Sequence, residues 1–89
     1  MGKYGRMRLK YLEEWKVRKA LELGERILLH CLEVQDRAKE MKREIMDQWR
    51  DQNPSDGTME WVQRAEMADS EAERFVLDTV IWPEASKAS

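Results

Sequence analysis

At 89 residues, with 38% charged and 42% apolar side chains and a net charge of −2, the chain has room for one modest domain. That balance is typical of solvent-exposed helices and excludes both a disordered chain and a β-sandwich. The single Cys31 excludes an internal disulfide, no apolar run is long enough to cross a bilayer, and the basic N-terminus lacks the apolar region of a signal peptide, so the expected location is the cytoplasm.

The first predicted helix runs from about Gly5 to Trp15, where Met7, Tyr11 and Trp15 recur at steps of four. It bends into a short helix bearing Val17, Ala20, Leu21 and Leu23 that stops at Gly24, unless the two form one helix through Leu23. Between Gly24 and Asn53, the residues Ile27, Cys31, Val34, Ala38, Met41, Ile45 and Trp49 step by threes and fours, a long amphipathic helix with a charged outer face. "NPSDG", residues 53–57, is strong turn chemistry. A second long helix follows from about Thr58 to Ile81, capped by Asp56 or Thr58, with Val62, Ala65, Asp69, Ala72, Val76 and Thr79 on one stripe. Pro83 ends it, and "EASKAS" reads as a frayed tail.

Two long amphipathic helices joined by a five-residue link predict an antiparallel hairpin. The expected fold is all-α, a single domain over residues 1–89. A long hairpin spans 24–82, the basic N-terminal helices of 1–23 pack on it as a three- to four-helix bundle, and 83–89 form a tail. In the expected register Ile27 lies near Val76 to Val80, and Ile45 is buried near Val62 to Ala65. Trp49 and Trp61 flank the same turn, while Trp15 and Trp82 sit near the other end. The methionines are expected to pack.

Charge is distributed unevenly. Residues 1–20 carry seven cations against two anions, whereas residues 54–89 carry three against eight. Either the head binds an anion or one end of the chain neutralises the other. For the first reading the candidate nucleic-acid contacts are Lys3, Tyr4, Arg6, Arg8 and Lys10, with Lys16, Arg18 and Lys19 as a second row. Lys3, Arg6 and Lys10 share one helical arc, and the tyrosines can stack on bases or pack on the hairpin. For the second reading, Arg6 and Arg8 pair with Glu66, Asp69 or Glu73. No helix-turn-helix signature is present, and the net charge is not that of a typical DNA-binding domain.

Catalysis is not expected. His30 and Cys31 are adjacent and point about 100° apart on a helix, so they form no nucleophile pair. Cys31 falls on the apolar stripe as a small buried group. His30 with Glu33 is one weak metal pair without a second, so no metal site and no cofactor are expected.

"GKYGRMRLKYLEEW" resembles the start of the TnpV family of small transposon-encoded proteins, whose members carry a "YGRMR-x-x-YL" block. Here that block is Tyr4-Gly5-Arg6-Met7-Arg8 followed by Tyr11-Leu12. "MEWV", Met59 to Val62, and the closing "FVLDTVIW" match the family's later segments, so the resemblance spans residues 3–82. The final aromatic is Trp82 where the family has Tyr, and members usually carry more chain before the first block. The resemblance implies a mobile-element accessory protein, for which an excisionase-like or regulatory role has been suggested. The expected activity is therefore binding, either to DNA or a nucleic-acid-bound protein through the basic head, or to another protein through the hairpin as an adaptor or an anti-CRISPR-like inhibitor. A homodimer is a further expectation, because the hairpin has more apolar surface than the short helices can cover.

Overall fold

In the computed structural model, which describes residues 2–84, every regular element is helical. α1 spans Lys3–Trp15 and α2 Val17–Leu23, a single 3₁₀ turn covers Gly24–Arg26, α3 spans Ile27–Gln52, and α4 spans Met59–Val76 and continues as a π-helical turn, Leu77–Ile81. The all-α hairpin with short N-terminal helices packed on it is the architecture found. Lys16 leaves the helical region (φ −130°, ψ 54°) and separates α1 from α2. Gly24 takes a positive φ of 52°, which a side chain would disfavour, and redirects the chain into α3.

The start of α4 is built locally. Thr58 Oγ1 accepts the Trp61 N–H at 3.1 Å, a standard N-cap, and Asp56 in turn accepts the Thr58 N–H and hydroxyl at 3.0 and 2.6 Å. The turn closes with Trp61 Nε1 donating to the Asn53 carbonyl at 2.7 Å and the Trp49 and Trp61 rings 5.7 Å apart. Both tryptophans therefore close the turn end of the hairpin. At the other end Trp82 tilts against Tyr11 at 6.4 Å, while Trp15 is largely exposed.

The register differs from the expected one. Lys42 sits between Asp69 and Glu73 of α4, and Ile45 shares a groove with Ala68, Ala72 and Phe75, about one turn beyond Val62 to Ala65. Ile45 is only half-buried. The core lies further toward the open end, where Tyr4, Val34, Ala38, Val76, Val80 and Ile81 form one buried cluster. The shift follows from α1. It packs across the first half of α3 and against the π-helical turn, so the deepest burial falls where three elements meet and not along the two-helix seam. Cys31 is fully buried, as its place on the stripe requires. Met7 and Met41 pack on the core and Met46 is buried, but Met59 and Met67 are exposed.

The start of the expected tail is held against the fold. Pro83 and Glu84 are half-buried, and Glu84 is anchored by α1 and α2; residues 85–89 lie outside the described residues.

This packing predicts a gradient of side-chain importance. Ile81→Ala removes a fully buried group and should cost about 2–4 kcal/mol, whereas Ile45→Ala should cost about 1 kcal/mol. Chemical denaturation of both variants checks it, and equal losses would contradict the shifted core.

Candidate functional site

α1 begins without a side-chain cap, because its N-cap residue is Gly2. The missing acceptor comes from α3: Gln35 Oε1 accepts the Gly5 N–H at 2.6 Å, satisfying one of the unpaired N–H groups of the first turn. A Cβ at Gly2 would run into the Gln35 amide, so glycine there permits the close approach. Tyr4, Gly5, Arg8 and Leu12 are all buried, and Tyr11 is half-buried beside them. Their spacing of three to four residues places them on one face of α1, the face that docks.

Two carboxylates hold this docked face. The first is Glu73 of α4. It accepts from the Tyr4 hydroxyl at 2.7 Å and from Lys42 at 2.6 Å, and pairs with Lys3 at 2.9 Å. Lys42 also pairs with Asp69 at 2.9 Å. Burial works to raise the Glu73 carboxyl, but the hydrogen bonds from Lys42, Lys3 and Tyr4 outweigh it and hold the group at about 2. Tyr4 moves the opposite way, to about 12, through burial and its bond to Glu73. Lys42 is held protonated: burial opposes its charge, and the bonds to Glu73 and Asp69 more than compensate.

The second carboxylate is Glu84. Arg8, with 3% of its surface exposed, donates from Nη1 and Nη2 to the two Glu84 oxygens at 3.1 and 3.2 Å, a bidentate pair. The same guanidinium donates from Nη1 to the Ile81 carbonyl at 2.8 Å and from Nε to His30 Nε2 at 3.2 Å. The Ile81 carbonyl lies at a helix end, where it would otherwise lack a partner. The Tyr11 ring lies 5.8 Å from the guanidinium carbon. Lys19 of α2 completes the cluster at 3.1 Å from Glu84 Oε1. Burial raises the Glu84 carboxyl, yet the bonds from Arg8 and Lys19 prevail and hold it at about 2. Burial and the Arg8 and Lys19 charges lower His30, in accord with its ring accepting from Arg8 as the neutral form.

The eight basic and aromatic residues predicted to meet nucleic acid therefore separate. Tyr4 and Arg8 are buried, so neither can stack on a base or reach a phosphate in this arrangement. Lys3 and Lys19 are paired with Glu73 and Glu84. Lys10 lies 4.0 Å from Glu14 on an exposed surface, a weak pair. Arg6, Lys16 and Arg18 are exposed and in no ion pair among the described residues. The clasp between head and C-terminal half exists, and Glu73 is one of its expected carboxylates, but the pairs differ: Lys3 takes Glu73, Arg8 takes Glu84, and Arg6 takes neither. Among the described residues no group of three or more His, Cys, Asp or Glu is placed to hold a metal, and no helix is long and apolar enough to cross a membrane.

The sequence reading missed Gln35, Glu84 and an apolar shoulder. α2 buries none of its residues, and Val17 and Leu21 stand exposed on it. In the first turns of α3, Leu28, Leu29 and Leu32 are 45–58% exposed. The sequence signal for them is an apolar run, Ile27 to Leu29 and then Cys31 and Leu32, too wide for one buried stripe.

The face that docks α1 is the block Tyr4-Gly5-Arg6-Met7-Arg8 with Tyr11-Leu12. A family model described as "Transposon-encoded protein TnpV" matches residues 1–81. The chain belongs to the TnpV family. No curated protein and no solved structure matches it. In this TnpV protein the block acts largely as a docking code, and Arg6 is its one charged residue left outward.

Two measurements follow. The charged forms of Glu73 and Glu84 are the ones the fold favours, with values near 2 against an ordinary 4.5, so their contribution is complete above about pH 4.5 and is lost as pH falls toward 2. The melting temperature should fall steadily over that window and less steeply in E73Q and E84Q; a flat profile would contradict both clasps. Arg8→Ala leaves the Ile81 carbonyl without its donor and Glu84 with Lys19 alone, and should cost about 2–4 kcal/mol, discounted from the fully buried case because Glu84 keeps some solvent. Arg6→Ala should stay within about 0.5 kcal/mol of the parent.

Proposed function

We propose that this TnpV protein serves its mobile element by binding, without chemistry of its own, and that the bound partner is a protein encoded by the same element. The shoulder formed by α2 and the start of α3 supports the reading. A seven-residue helix is marginal by itself, and this one has no buried residue while exposing Val17 and Leu21. Leu28, Leu29 and Leu32 extend the apolar character onto α3. Exposed apolar groups gathered within 16 residues of chain and edged by Lys16, Arg18, Glu25 and Arg26 have the make-up of an interface, apolar at the centre and charged at the rim. Trp15, at the end of α1, adds an exposed aromatic anchor beside them in sequence. A second copy of the chain or a host defence protein would meet the same surface, as a homodimer or as an inhibited complex.

A second reading rests on Arg6, Lys10, Lys16 and Arg18, the cations of the head that the two clasps leave outward. They suit phosphate contacts of the non-specific kind, which give a regulatory or excisionase-like protein its hold on DNA.

Leu28→Lys with Leu32→Lys decides between them. The pair should leave the melting temperature within a few degrees of the parent, because both sites are exposed, and should abolish co-sedimentation with the element-encoded partner. Binding to duplex DNA that persists in that variant, with a log affinity falling against log salt by about 0.9 per phosphate contact, would favour the second reading. Self-association in sedimentation that the same lysines abolish would assign the surface to a second copy.

A further inference from the structure

The two carboxylate clasps differ in their balance of charge. At Glu73 two cations, Lys3 and Lys42, meet two anions, Glu73 and Asp69. At Glu84 two cations, Arg8 and Lys19, meet one carboxylate, and no other carboxylate lies within ion-pair distance of either among the described residues. One positive charge is left over at a site where Arg8 is buried and Lys19 and Glu84 face solvent in part.

The Arg8 guanidinium is aimed independently of Glu84. His30 holds Arg8 Nε, and the Ile81 carbonyl holds one N–H of Nη1, so the guanidinium plane is fixed by α3 and the π-helical turn. Three donors remain: a second N–H on Nη1, those on Nη2, and Lys19 Nζ. All converge on the two Glu84 oxygens at 3.1–3.2 Å. A planar fork with an adjacent ammonium is the donor set that binds phosphate as readily as carboxylate. The carboxylate that fills it comes from beyond Trp82, after Pro83. Among the described residues Arg8 and Lys19 are the only side chains that hydrogen-bond the Glu84 carboxylate.

We propose that Arg8 and Lys19 form an oxyanion site for a phosphate group, and that Glu84 is its internal competitor. A phosphate group carrying close to two negative charges matches the two cations better than a single carboxylate does. The Glu84 side chain thereby holds the site closed, and a phosphate ligand must displace its carboxylate. The ligand with that charge is a free phosphate or phosphomonoester; a nucleic-acid backbone phosphate, a diester with one negative charge, would meet the same donors without the charge match. The site is distinct from the apolar shoulder and does not rest on the protein-binding reading.

Glu84→Ala in the full chain tests the proposal, with inorganic phosphate as the probe against chloride at equal ionic strength. The variant should melt below the parent. Phosphate several-fold above its dissociation constant should then raise its melting temperature by about 4–8 °C, saturably, and raise the parent's by much less. K19A/E84A should lose most of that rise while melting close to E84A without phosphate, because Lys19 is about half exposed. If E84A also binds duplex DNA more tightly than the parent, with a salt slope steeper by about 0.9, the ligand is a backbone phosphate. If phosphate rescues and DNA binding does not change, it is a free phosphate or phosphomonoester. Equal responses of E84A to phosphate and chloride, or a rescue that K19A leaves intact, would overturn the proposal and make Glu84 a structural strap only.

Discussion

For α1 to lie on α3, the guanidinium of Arg8 has to leave water. Removing a cation from solvent costs several kcal/mol unless its donors are met. Here they are met from three directions: the His30 ring, the terminal carbonyl of the π-helical turn, and both oxygens of Glu84. Each partner belongs to a different stretch of chain, so the bonds exist together only when α1, α3 and the end of the second long helix are mutually placed. The apolar groups on either side, Tyr4 and Leu12 on α1 and Val80 and Ile81 beyond α4, reach their full burial in the same arrangement. Polar satisfaction and apolar burial thus select one docking geometry.

The charge asymmetry of the chain has its explanation in this geometry. The basic head is neutralised by the acidic C-terminal half at two points, Glu73 and Glu84, and each is joined to a member of the buried cluster, Glu73 directly to Tyr4 and Glu84 through Arg8 to Ile81. The Glu73 clasp is balanced in charge and carries a tyrosine hydroxyl, which suits a purely structural role. The Glu84 clasp carries surplus positive charge and is closed by a residue at the edge of the fold. Similar distances thus accompany different electrostatic states, and the second is the one open to exchange.

The shape accounts for the exposed apolar surface. The molecule measures 50 × 27 × 16 Å, and its Cα radius of gyration, 15.8 Å, exceeds the roughly 12 Å of a compact domain of this length. A plate little more than one helix thick has few positions enclosed on every side. α1 covers the first half of α3 on one face only, leaving Leu28, Leu29 and Leu32 outward. Toward the turn, α3 and α4 cover one another alone, and Phe75 edges an open groove with Ile45 and Trp49.

Local information in the sequence determined the helices, the Thr58 cap, the turn at residues 53–57, the pairing of Trp49 with Trp61 and the burial of Cys31. Each depends on contacts within a few residues or on a period that persists for several turns, and both are written in the order of side chains. It also carried the family block, whose spacing of buried positions is the period of α1. The tertiary structure alone decided what the block's charges do. Arg8 meets Glu84 across 76 residues and Gly5 meets Gln35 across 30, and nothing in the local pattern distinguishes Arg8, which is buried, from Arg6, which is exposed two positions earlier. The hairpin register and the fate of the leucine shoulder were equally beyond the pattern. Periodicity tells which side chains share a face, but whether that face is covered depends on where the other helices cross it, and the crossing is set by the few long-range polar bonds that bring Arg8 and Gly5 to rest.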